Sequence, residues 1–112
     1  MGIKEITSAT NNSKFIVVLD PGHGGKDPGA EAGGYLESNL MLELAAAVEE
    51  SLVRNTEFKV ILTRKEDVFL SLEDRITVAT QSGADLFISL HADAVIEGEA
   101  SGTTVYLLSE NA

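Results

Sequence analysis

Two histidines occur in this chain, and each follows an apolar run that reads as a strand, His91 at once and His23 after Asp20, Pro21 and Gly22. His23 sits in Asp20-Pro21-Gly22-His23-Gly24-Gly25, after the apolar residues 15–19 (FIVVL), and His91 follows residues 85–90 (DLFISL). A third group, Glu37, stands at or just before the start of an apolar-periodic stretch. There a helix dipole favours the ionised carboxylate. His, Glu and His with a fourth position open is a ligand set of catalytic zinc, Zn2+. Magnesium or calcium would ask for oxygen ligands throughout. The glycines around His23 let the backbone turn sharply and approach a ligand closely. A phosphate cradle does not fit them. The dinucleotide fingerprint needs glycine at 27, which is Asp27, and a P-loop needs Ser or Thr after Lys26, with a helix starting where Pro28 and Gly29 stand.

What must position these residues is a sheet. Residues 15–19 form a valine-rich run bounded by Pro and Gly, the pattern of a strand buried on both faces. In SNLMLELAAAVEESLVRN (38–55), Leu40, Leu44, Val48 and Leu52 recur every four residues beside Met41 and Ala45, which gives one apolar helix face. Ser38 suits the N-cap and Asn55 the end. FKVIL (58–62) is a second strand, with Lys59 near an edge. SLEDRITVATQSG (71–83) is a second helix, with a Ser71–Asp74 capping box, a buried stripe of Leu72, Ile76 and Ala79, and a stop at Gly83. Arg64, Arg75 and the nearby acids read as a solvated surface. Residues 85–90 and 103–108 (TTVYLL) complete the strands, joined by the Gly- and Glu-rich VIEGEASG.

The order is βαβαββ, an α/β fold with a mostly parallel sheet flanked by helices. Helical crossovers make the first three strands parallel and right-handed in connection. Their carboxyl ends then share one rim, where ligands of open α/β sheets sit. His23 and His91 lie there, and so does Glu37, because a returning helix starts at the same rim. From topology alone the three either converge on a metal or only share an edge. Asp93 is a supporting residue behind His91, an additional ligand, or an ordinary loop or cap aspartate.

Composition narrows the partners. The 112 residues amount to one domain with a modest core, and the net charge of −10 argues against nucleic acid or an anionic membrane surface. There is no cysteine, hence no disulfide or thiolate metal site. No segment is apolar for long enough to span a bilayer. Residues 1–14 lack the apolar core of a signal peptide and read as a leader, linker or pro-segment.

IVVLDPGHGGKDPGA, YLESNLMLELAAAV, VILTRKEDVFLSLEDRITVAT and GADLFISLHADA, in that order, resemble the zinc-dependent N-acetylmuramoyl-L-alanine amidases of bacterial cell walls. The resemblance runs from about Phe15 to Leu108. It implies that His23, Glu37 and His91 are zinc ligands, and that the chain cleaves the amide between N-acetylmuramic acid and L-alanine in peptidoglycan. It implies peptidoglycan stem peptide and glycan as partners, and a periplasmic or secreted place in the cell envelope.

The family pattern continues past TTVYLL to a late catalytic glutamate. The expectation is therefore an incomplete amidase domain over 15–112, with the general base beyond Ala112 and no catalytic residue of that kind in the chain. Glu97, Glu99 and Glu110 stand in the wrong segments for it. A sheet ending at the fourth strand would expose an edge, which predicts self-association. Two other functions stay open: a zinc- or muropeptide-binding module without turnover, and a metallopeptidase cutting within the stem peptide.

Overall fold

The computed structural model describes residues 13–94 and 101–108, with side-chain surroundings as far as residue 92. The leader expected over 1–14 lies outside the described residues except for Ser13 and Lys14. Strand β1 (Phe15–Pro21) is the centre of a four-stranded sheet, pairing in parallel with β4 (Phe58–Leu62) on one side and β5 (Leu86–Ala94) on the other. Strand β6 (Ser101–Leu108) then pairs antiparallel to β5, giving the order β4-β1-β5-β6. The parallel three-strand unit is the one the apolar runs predict, and the four-stranded sheet with its two helices follows the expected βαβαββ order. Val17, Val18 and Leu19 are almost fully buried because β1 has a neighbour on each side and a helix on each face.

Period-two alternation sorts the strand residues between those faces. Leu62, Ile88, Leu90 and Ala92 pack with Met41, Leu44 and Ala45 of helix α1 (Glu37–Val53). Asp20 and Ser89 point the other way, where Arg75 of helix α2 (Leu72–Ser82) meets Asp20. Helix α2 starts at the Ser71–Asp74 capping box and stops at Gly83, whose φ of 68° is the left-handed conformation glycine adopts freely.

Four local expectations need correction. Ser38 lies inside α1 and is buried; the cap position is Leu36, which offers no side-chain bond. Instead the first helical N–H groups, of Glu37 and Ser38, donate to the carbonyls of Ala30 and Pro28. The glycine-rich loop thus does the work of a cap. The apolar face of α1 is centred on Met41 and Ala45, with Leu40 37% exposed, since the four-residue spacing drifts around a helix of 3.6 residues per turn. Leu72 is 72% exposed, and the buried residue of α2 is Arg75. Strand β5 runs on through His91 rather than ending before it, held by its antiparallel pairing with β6.

One element was not foreseen. Glu31–Ala32 (β2) and Tyr35–Leu36 (β3) form a small hairpin across Gly33 and Gly34, both at positive φ as a tight two-residue turn requires. It delivers the chain into α1.

Candidate metal centre

The loop after β1 brings His23 to the sheet rim with φ 62°, the one non-glycine residue at positive φ among those described. For a residue with a Cβ this conformation costs about 1–2 kcal/mol, so neighbouring contacts must hold it. It turns the imidazole back over the rim toward the start of α1. Gly22 and Gly29 make room. A Cβ at Gly22 would stand 2.5 Å from His91 Cε1, and one at Gly29 would stand 2.6 Å from both Glu37 Oε1 and His23 Cδ2.

Three side chains converge there. His23 Nε2 lies 3.0 Å from Glu37 Oε2, His91 Nδ1 lies 3.2 Å from the same oxygen, and the two ring nitrogens are 3.3 Å apart. The rings meet edge to face with centroids 5.0 Å apart. The residues nominated from topology are therefore neighbours, and the structure adds which nitrogen each histidine presents.

Hydrogen bonding around the cluster fixes its chemistry. His23 Nδ1 is 2.8 Å from Asp27 Oδ2. A neutral His23 donates its N–H to that carboxylate, which leaves a bare lone pair on Nε2. The bond with His23, above all, holds Asp27 below its usual carboxylate pKa, against the opposing effect of burial. Burial acts most strongly on Glu37 and opposes its ionisation. The N–H groups of Ala30 and Ala92, followed by His23 and His91, more than offset it, so Glu37 is held ionised below its usual range. When His23 is neutral, its Nε2 lone pair faces an anionic oxygen at 3.0 Å. Such a pair repels unless a cation or proton lies between them.

The separations test whether a metal fits. Zinc bonds of about 2.0–2.1 Å to nitrogen and oxygen give a tetrahedron with edges of about 3.3–3.4 Å. The three observed separations, 3.0, 3.2 and 3.3 Å, approximate one face of it. His23, Glu37 and His91 thus form a possible metal-binding triad. Beside them opens a cleft of about 250 Å³ whose lining includes Asp27, Phe69, Leu70 and Ser71. The side chain of Asp93 and the whole of Glu97, Glu99 and Glu110 lie outside the described residues.

Sequence reasoning missed the support beneath the site. Arg64 and Arg75, read as solvated, are only 3% and 6% exposed. Arg75 pairs with buried Asp20 at 2.9 Å, and Asp20 also accepts from Thr63 (2.8 Å) and Ser89 (2.6 Å). Burial first, then the nearby Arg75 charge, lowers the pKa of Arg64, with Asp67 and Asp20 acting in the opposite sense. The available signal was the position of each arginine, one just after β4 and one on the α2 face turned to the sheet.

Comparison with known proteins adds an independent finding. Residues 17–112 match the family model Amidase_3, described as N-acetylmuramoyl-L-alanine amidase. The chain is 44% identical over 100 residues to the N-acetylmuramoyl-L-alanine amidase AmiA of Escherichia coli (strain K12), covering 88% of this chain and 34% of that protein. It is 39% identical over 103 residues to AmiC of Escherichia coli O6:H1, covering 90% of this chain and 24% of that one. Among solved structures, the catalytic domain of the amidase CwlV from Bacillus (Paenibacillus) polymyxa var. colistinus superposes with a TM-score of 0.72 at 38% identity. That match covers 76% of this chain and 49% of CwlV's. The chain therefore spans about a quarter to a third of the length of these curated relatives, and about half of that catalytic domain.

Proposed function

The chain belongs to the N-acetylmuramoyl-L-alanine amidase family, and from that premise we propose that it is a zinc-dependent hydrolase of the amide between N-acetylmuramic acid and L-alanine in peptidoglycan. His23, Glu37 and His91 are its zinc ligands in this proposal, through Nε2, Oε2 and Nδ1. The observation that carries it is the mutual approach of those three atoms to 3.0–3.3 Å. When bound, zinc supplies Lewis-acid polarisation of a carbonyl and acidifies water toward neutral pH.

The chain's own groups prepare the place. Asp27 accepts the N–H of His23 Nδ1, which selects the tautomer whose lone pair is on Nε2. The N–H groups of Ala30 and Ala92 hold Glu37 ionised and fix both its oxygens. Gly22 and Gly29 keep the imidazoles and the carboxylate within reach of one another. The cleft walled by Phe69 and Leu70 lies beside His23 and His91 and is open to an incoming amide. None of the described residues is assigned the general base. Peptidoglycan stem peptide and glycan are the proposed partners, and the cell envelope, periplasmic or secreted, is the proposed location. Among the described residues no helix is long and apolar enough to cross a membrane. Nothing in those residues or in the comparisons supports the self-association expected from an open sheet edge, and it forms no part of the proposal.

The test is incubation of the zinc-loaded chain with purified muropeptides, followed by mass spectrometry. Release of a stem peptide with a free L-alanine amine is the expected result. Muropeptide binding with no release would replace turnover by a binding module, and a cut within the stem peptide would make the chain a metallopeptidase.

A further inference from the structure

Three successive carbonyls, from the last residue of β1 into the His23 loop, accept hydrogen bonds from buried guanidinium groups. Pro21 O takes one from Arg64 Nε (2.9 Å) and one from Arg75 Nη1 (2.8 Å). Gly22 O takes one from Arg64 Nη2 (2.7 Å), and His23 O one from Arg75 Nη2 (2.9 Å). We propose that Arg64 and Arg75 are positioning residues for the metal ligands, acting through the backbone of the loop rather than through charge at the metal.

The remaining donors show where each arginine is anchored. Arg64 Nη2 also reaches Ser38 O (3.0 Å), in the first turn of α1 next to Glu37. One guanidinium therefore ties the segment carrying the first histidine to the segment carrying the carboxylate. Arg75 donates from Nε to Leu70 O (3.0 Å) and from Nη1 to Asp20 Oδ1 (2.9 Å), so α2 and the end of β1 grip the loop from the other side. Asp20 is held in turn by Ser89, two residues before His91 on β5. The His23 segment thus meets both arginines, the Glu37 segment meets Arg64, and the His91 segment meets Arg75 through Asp20. Holding His23 at φ 62° needs such external contacts, because the loop has no helix or strand ladder at that position. A planar fork with five donors in fixed geometry can hold several carbonyls at once, whereas lysine gathers its three rotatable donors on one nitrogen and cannot span them.

The inference rests on the metal site proposed above, and the experiment separates the two. Metal content and affinity are measured on the chain and on Arg64→Lys and Arg75→Lys, by competition with a chromophoric chelator. Cobalt(II) absorption spectra report ligand geometry, and circular dichroism reports folding. The expected result is one metal per wild-type chain, folded variants with affinity at least about tenfold lower, and weaker or shifted cobalt bands. A wild-type chain that takes up no metal overturns both the site and the positioning role. A wild-type chain that binds metal, beside folded variants of equal affinity and unchanged cobalt spectrum, overturns the positioning role alone. If the variants do not fold, wild-type protein carries the test through reciprocity: what pre-organises a site for metal must be stabilised by metal to the same degree. Exchange of the Arg64 and Arg75 Nε–H protons, followed by NMR, should then slow several-fold on zinc addition, and unchanged exchange would overturn the proposal.

Discussion

Substituting alanine at Gly29 and, as its control, at Gly33 separates backbone strain from intrusion into the site. Both glycines are at positive φ, 72° and 58°. An L-residue there costs about 1–2 kcal/mol, offset by about 0.4–1 kcal/mol because alanine stiffens the unfolded chain. A net loss of about 1 kcal/mol is expected at each, a fall in Tm of about 4–8 °C. The two sites then diverge. A Cβ at Gly33 meets nothing within 4 Å, whereas one at Gly29 stands 2.6 Å from Glu37 Oε1 and 2.6 Å from His23 Cδ2. Ordinary contact starts near about 3.5 Å, so two ligand side chains must together give way by nearly an ångström. Metal–ligand bonds tolerate roughly 0.2 Å. Gly29→Ala should therefore lose metal affinity by about 10–100-fold, the range seen when ligand orientation is disturbed, and be the less stable of the two. Gly33→Ala should bind metal as the wild type does. Isothermal titration of zinc and thermal unfolding of the metal-free proteins read the two effects separately. Equal metal affinity in the two variants would refute the close packing of loop, carboxylate and imidazole described above.

Other consequences are as direct. His23→Ala should abolish stoichiometric metal by elemental analysis, while Lys26→Ala, which removes an exposed ammonium 4.6 Å over the Phe69 ring, should leave it bound. Asp27→Ala removes the acceptor 2.8 Å from His23 Nδ1 and should weaken metal binding by about 10–100-fold with little change in Tm, since Asp27 is nearly half exposed. Ser71→Ala deletes the capping box of α2 and should cost about 1 kcal/mol in denaturant unfolding without altering metal affinity beyond about twofold. Glu37 is held below the ordinary glutamate range, so its stabilisation is present above that range and is lost as pH falls through the lower folded value. In the metal-free state, Glu37→Gln should flatten the loss of stability below about pH 4.5, measured by urea unfolding across pH 3–6.

Strand runs, the Ser71–Asp74 box and the Gly83 stop were legible because each depends on residues a few positions apart. Where the local signal misled, a distant group had supplied the missing interaction. By residue type Ser38 suits a cap, yet the carbonyls of Pro28 and Ala30 already satisfy the first helical N–H groups. By spacing Leu72 belongs to the core stripe, yet it flanks the cleft and is exposed. The apolar run of β5 ends at Leu90, and pairing with β6 through His91 is not encoded in that run.

By itself the sequence determined the chain order of strands and helices, and with it the rim where His23, Glu37 and His91 gather. Alternation of apolar strands with amphipathic helices admits few chain paths, and the handedness of crossovers removes most of those. Only the tertiary structure decided that Arg64 and Arg75 are buried beneath that rim and not solvated above it. The burial of a charge depends on the partners waiting for it, and for Arg75 these are Asp20 and His23 O, 55 and 52 residues away along the chain. No local pattern reports that meeting.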